Sequence, residues 1–117
     1  MLDGLYSGRL RDPAFVAIVE DDLRDGVHRN PDGRLEWFTT AYFHRPEELR
    51  AEVAGAQFEV LALVGLEGPL WTLADIGEQW ADAALRDRYL GFVRTVESEP
   101  SLLGLSAHLL AVGRKPA

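Results

Sequence analysis

Apolar positions recur at helical spacing in three stretches of the chain and cluster as extended runs in three others. Phe15, Ile18, Val19 and Leu23 fall on one face of a helix predicted over about 13–25. Asp12-Pro13 starts that helix, with Asp as N-cap and Pro at the first position, and Gly26 suits its C′ position. Leu49, Val53 and Ala56 form the inner face of a second helix opened by Pro46, with Glu47 and Glu48 in the first turn. Leu85, Tyr89, Phe92, Val93 and Val96 form the face of a third, at about 83–98, capped by Asp82 and ended by Glu99-Pro100. Residues 70–80 have room for one more short helix.

The extended runs are Trp37–Phe43, Phe58–Glu67 and Leu105–Val112, rich in aromatic and β-branched residues. Between them, Asn30-Pro31-Asp32-Gly33 is a turn signal. The order is helix, extended, helix, strand, helix, strand, which argues for a layered α/β architecture. Leu105–Val112 is apolar on both alternations, as in a strand covered on both faces. A central strand needs a neighbour on each side, because unpaired buried backbone groups are costly. Residues 58–67 supply one neighbour, and nothing else in the chain clearly supplies the other.

Composition narrows the class. The 117 residues suffice for one domain, and 47% hydrophobic with 26% charged residues argues against disorder. The net charge of −7 repels phosphate backbones and disfavours nucleic acid as a partner. The absence of cysteine excludes disulfides, thiol catalysis and Cys-ligated zinc. No apolar run reaches the roughly 20 residues of a membrane span, and the N-terminal residues lack signal-peptide features, so a cytoplasmic protein is expected.

The stretch from Trp37 to Arg50, then Glu52 to Leu61, resembles the C-terminal third of class I S-adenosylmethionine-dependent methyltransferases. It is similar to an actinobacterial branch acting on small molecules. The ending Ser101–Arg114 resembles that branch's last strand, and His28-Arg29-Asn30-Pro31 also matches. The resemblance implies an incomplete Rossmann-like methyltransferase sheet with an antiparallel final strand. Residues 1–45 would be a helical cap, and 46–117 the C-terminal part of the α/β domain. The final strand, 105–113, would pair with an N-terminal half outside this chain or with a second copy. The family's Gly-rich donor loop has no counterpart: Gly4-x-x-x-Gly8 has the wrong spacing and Gly65-x-x-Gly68 follows the wrong strand. S-adenosylmethionine is therefore the cofactor of the complete family fold, and this chain alone is expected neither to bind it nor to turn over. At Gln57 the family usually has Gly.

The candidate residues each admit two readings. His44, between an aromatic run and a helix start, could take a proton from a substrate hydroxyl or amine, or could cap the helix at Pro46. Arg29 could bind a substrate carboxylate or stabilise a turn. Trp37 and Tyr42, with Phe38 and Phe43, could wall an apolar substrate pocket or fill a core. Trp71 and Trp80 read as core. His108 reads as a hydrogen-bonded core histidine, and the three histidines do not make a metal site. Asp21, Asp22 and Asp25 read as a solvated helix face. The alternative to the methyltransferase reading is a stand-alone, non-enzymatic α/β protein that dimerises through its C-terminal strand.

Overall fold

The computed structural model describes Gly4 and residues 7–117. The described residues form a mixed fold, 52% helical, with two antiparallel two-stranded sheets. The chain forms two compact units, residues 1–44 and 45–117.

In the first unit a short 3-10 turn, Arg9–Arg11, leads into helix α1, Pro13–Asp25. Asp12 accepts a hydrogen bond from the Ala14 amide at 2.9 Å, satisfying one of the donors a helix start leaves open. Gly26, at φ 73°, ends the helix in the left-handed region that glycine tolerates best. Strand β1, Val27–His28, then pairs antiparallel with β2, Ala41–Tyr42. The core is Phe15, Val19 and Trp37, with the Phe15 and Trp37 rings edge to face at 5.9 Å. Leu23, expected on the inner face, is instead 60% exposed. Trp37 also departs from the extended reading of 37–43. It closes a 3-10 turn, Leu35–Trp37, and the pairing segment shrinks to two residues. The turn is made by Asn30, whose side chain bonds the Arg34 amide and carbonyl and the Phe38 carbonyl. A side chain that satisfies local backbone groups in this way competes with strand pairing.

In the second unit helix α2, Pro46–Gly55, packs on both strands of a sheet formed by β3, Glu59–Gly65, and β4, Leu109–Arg114. The strands run antiparallel from Glu59 opposite Arg114 to Gly65 opposite Leu109, with an irregularity at Val60/Ala62. Helix α3, Ile76–Trp80, and helix α4, Ala83–Val96, lie between them in sequence. Asp82 caps α4 by accepting from Ala84 and Leu85 at 2.9 and 3.0 Å. Leu63, Val93 and Leu103 are the buried apolar side chains here. Trp80, expected in the core, is 39% exposed.

β4 begins later than its apolar run. Residues Leu103–Leu105 form a 3-10 turn with Leu103 buried, and the Trp71 indole donates to the Leu105 carbonyl at 2.7 Å. Nor is the strand covered on both faces, as its sequence suggests. Leu110 and Val112 are 45% and 41% exposed, while a Cβ added to Gly113 would meet Val53 of α2 at 3.1 Å. Side chains alternate across a strand. Gly113 therefore faces α2, and Leu110 and Val112 face away from it. Among the described residues β3 is the one strand paired with β4.

The end of α2 carries a strained residue. Gln57 has φ 64°, a left-handed conformation that costs a side-chain-bearing residue roughly 1–2 kcal/mol. Its amide donates to Ala54 and that of Phe58 to Val53, the paired bonds of a Schellman motif. Gln57→Gly is expected to stabilise the chain by about 1 kcal/mol, because the geometry stays and the Cβ clash goes. Urea unfolding checks this; an unchanged or lower midpoint contradicts it.

Candidate functional site

The most enclosed polar group in the first unit is His28, 5% exposed. It sits at the end of β1, one residue after Val27, whose amide is fixed by Asp25 at 3.0 Å. The ring lies between two acceptors. Its Nδ1 meets the Asp22 carboxylate oxygens at 2.9 and 3.1 Å, and its Nε2 donates to the Trp37 carbonyl at 2.6 Å. The Phe38 and Phe43 rings flank it at 6.3 and 5.6 Å. Asp22 is therefore not part of a solvated helix face: its side chain is 10% exposed and points at His28. The signal was present in the spacing, since residues 15, 18, 19 and 22 share one helical stripe.

The residues chosen from the sequence are placed separately. Arg29 is turned onto Asp25 at 3.0 Å and onto the Val27 carbonyl at 3.2 Å. The Val27 amide holds the Asp25 carboxyl below its usual pKa against the opposing effect of burial, and the Arg29 guanidinium adds to the lowering. Trp37 is buried in the core beneath the Arg34 guanidinium, 4.0 Å from its ring centroid. Tyr42 and His44 meet edge to face at 4.7 Å. His44 does not cap α2: the N-cap is Arg45, whose amide donates to Glu48 at 2.8 Å. A shallow cleft of about 400 Å³ opens along Asn30, Gly33, Arg34, Leu35, Phe38, Thr39 and Thr40; of the residues read from the sequence as candidates, Phe38 lines it and Arg29, Trp37, Tyr42, Phe43 and His44 do not. Phe38 stands out there, with φ 67° and 62% of its surface exposed.

In the second unit a carboxylate organises the run into β4. Glu67 accepts from the Ser106 hydroxyl at 3.0 Å, the His108 amide at 3.1 Å and the His108 ring. Ser106 in turn accepts from the Glu67 and Gly68 amides at 3.2 Å each. The serine proton is directed to the carboxylate and not to the imidazole, so the trio lacks the base-to-nucleophile contact of a hydrolase. His108 is correspondingly an exposed residue ahead of β4, not a core histidine.

A Cβ on Gly65 would lie 2.8 Å from that of Ser106, so the space over Gly65 is already filled by the chain. Gly8, at φ 73°, precedes the turn Arg9–Arg11, too short a helix to hold a phosphate or carboxylate. No group of three or more potential metal ligands occurs among the described residues, and no helix among them is long and apolar enough to cross a membrane. Comparisons of the chain with protein-family models, curated proteins and solved structures find no match.

Burial tends to raise the Glu67 pKa, but hydrogen bonds from the His108 ring, the His108 amide and Ser106 outweigh it and hold the group below 4.5. A folded-state pKa below the unfolded one adds stability above the unfolded value. That contribution disappears as pH falls through the folded value. Thermal unfolding of the native chain should therefore lose more stability on acidification from about pH 5 to about pH 3 than Glu67→Gln does. Parallel profiles for the two proteins would contradict this role.

Proposed function

We propose that this chain is the C-terminal portion of a class I S-adenosylmethionine-dependent methyltransferase acting on a small molecule. The observation that carries the reading is the arrangement of the second unit. Helix α2 leads directly into β3, packs on both strands, and β4 returns antiparallel to β3 with its far edge unpaired among the described residues. That is the order and sense expected of the last helix and strands of an incomplete Rossmann-like sheet, and it accompanies the sequence resemblance over the same residues. The strained Gln57 supports the same register, since its left-handed φ is the conformation for which the family's glycine is suited.

In this reading the methyl donor is held by sequence preceding these residues. What the chain adds is a framework for the final strands and, in residues 1–45, a segment over the acceptor. His44, edge-on to Tyr42, is the candidate to accept a proton from a substrate hydroxyl or amine. The protein is then cytoplasmic, and its complete form takes S-adenosylmethionine and a small-molecule acceptor.

A second reading is favoured by the exposed Leu110 and Val112 beside the open strand edge. A second copy could pair there across a two-fold axis, giving a non-enzymatic dimer.

Sequencing the coding region upstream of the Met1 codon, with calorimetry on the chain itself, tests the first reading. An in-frame strand followed by a Gly-rich loop is expected upstream, with no saturable micromolar binding of S-adenosylmethionine by the chain alone. A stop codon directly upstream, joined to a dimer in sedimentation, would overturn it in favour of the second. Tight donor binding by the isolated chain would contradict the assignment of the donor site to preceding sequence.

A further inference from the structure

His28 faces an arithmetic problem that its surroundings do not let water solve. A carbonyl oxygen can only accept, so the 2.6 Å contact with Trp37 requires a proton on Nε2. An ionised carboxylate can also only accept, so Asp22 requires a proton on Nδ1. A neutral imidazole carries one N–H. The observed geometry therefore holds one proton more than a neutral ring and a carboxylate possess together. Without that proton, a lone pair on the 5%-exposed ring faces an acceptor oxygen. An unsatisfied buried contact of that kind costs roughly 1–3 kcal/mol.

We propose that His28 is a proton-operated clasp. With the additional proton in place, it ties the Leu35–Trp37 turn to α1 through Asp22. When the proton leaves, the bond to the Trp37 carbonyl or to Asp22 breaks and the turn is released. Among the described residues, Asp22 is the charged group in contact with the ring. In the loop that follows β1, Arg29 is turned onto Asp25, and Arg34 lies over Trp37 and within 3.7 Å of Asp12. From the other elements packed on the ring come the Trp37 carbonyl and the uncharged Phe38 and Phe43.

The backbone next to the clasp is built to move when it opens. Phe38 has φ 67° and ψ 179°, a conformation almost reserved for glycine and maintained only when neighbours impose it. Two bonds bracket it here: His28 to the Trp37 carbonyl, one residue before, and Asn30 to the Phe38 carbonyl at 2.7 Å. Loss of the first leaves Phe38 free to relax toward negative φ. Phe38 lines the cleft along residues 30–40, so the clasp sets the shape of that cleft. The sign is fixed by the count of protons. The cleft is held at lower pH and loosened as pH rises. This does not depend on the methyltransferase reading.

The test is NMR on the full chain through a pH series run from acid to alkaline. Ring nitrogen–proton correlations follow His28, and amide protection follows Arg34 and Trp37, which donate to Asn30 and to the Arg34 carbonyl. Both His28 ring nitrogens should carry protons at the acid end. Protection at Arg34 and Trp37 should fall by about tenfold as one proton is lost. Asp22→Asn is the discriminating variant. Its amide can donate to Nδ1 while Nε2–H keeps the Trp37 carbonyl, so a neutral ring satisfies both sides and protection should stay level. A ring that keeps one protonation state throughout overturns the proposal. So does a titration that leaves protection unchanged, or an Asp22→Asn chain that loses protection as the native one does. Should that variant not fold, the native titration alone decides.

Discussion

Every residue of β4 carries a backbone donor and acceptor, and β3 can take only those along one edge. The geometry of the second unit follows from that. Pairing with β3 fixes the register, α2 covers the face that Gly113 opens to it, and Glu67 ties the end of β3 to the run entering β4. What is left over is a free edge next to Leu110 and Val112. An edge strand is normally short, charged, bulged or covered. β4 has basic residues only at its end, at Arg114 and beyond, where Arg114 meets Glu59 at 3.0 Å. Over Leu109–Val112 it offers apolar side chains and, among the described residues, a backbone edge with no strand beside it.

The first unit solves its problem with polar groups. Its apolar core is Phe15, Val19 and Trp37, with Leu10 and Ile18 beside it, and a core this small fixes little backbone unaided. Asn30 and His28 do the fixing. One holds three backbone groups from a turn position, and the other bridges a helix carboxylate and a carbonyl from inside the core. The strained backbone of Phe38 lies between the two carbonyls they bind. Hydrogen bonds to buried acceptors are strong enough to hold a conformation that packing alone would not select.

Much of this was legible in the residues, for reasons that differ by element. Asp12-Pro13, Asp82 and Gly26 mark helix ends through local chemistry, so α1 and α4 start where their caps predict. The turn at Asn30–Gly33 was equally local, and its Gly33 has φ 63°. The errors arose where a distant group decided the outcome. Trp37–Phe43 has the composition of a strand, but Asn30 captures the Phe38 carbonyl and His28 the Trp37 carbonyl. Leu105 reads as strand, but Trp71 fixes its carbonyl from 34 residues away. Asp22 reads as solvent-facing by its charge, and only its place in the stripe with Phe15 and Val19 hints at a buried partner. Of the site residues, His44 and Tyr42 were found to touch, whereas Arg29 and Trp37 are engaged by Asp25 and Phe15. No composition signal could tell an aromatic residue of a pocket from one of a core.

The open edge of β4 is the claim on which the reading of the whole chain rests, and residue-resolved amide exchange measures it directly. At a concentration where the chain is monomeric, amides of Leu109–Arg114 should fall into two alternating classes. Those directed at β3 should be protected, and those directed away should exchange close to the rate of exposed backbone. Uniform protection of the whole strand in the monomer would show that its second edge is already satisfied, and would contradict the account.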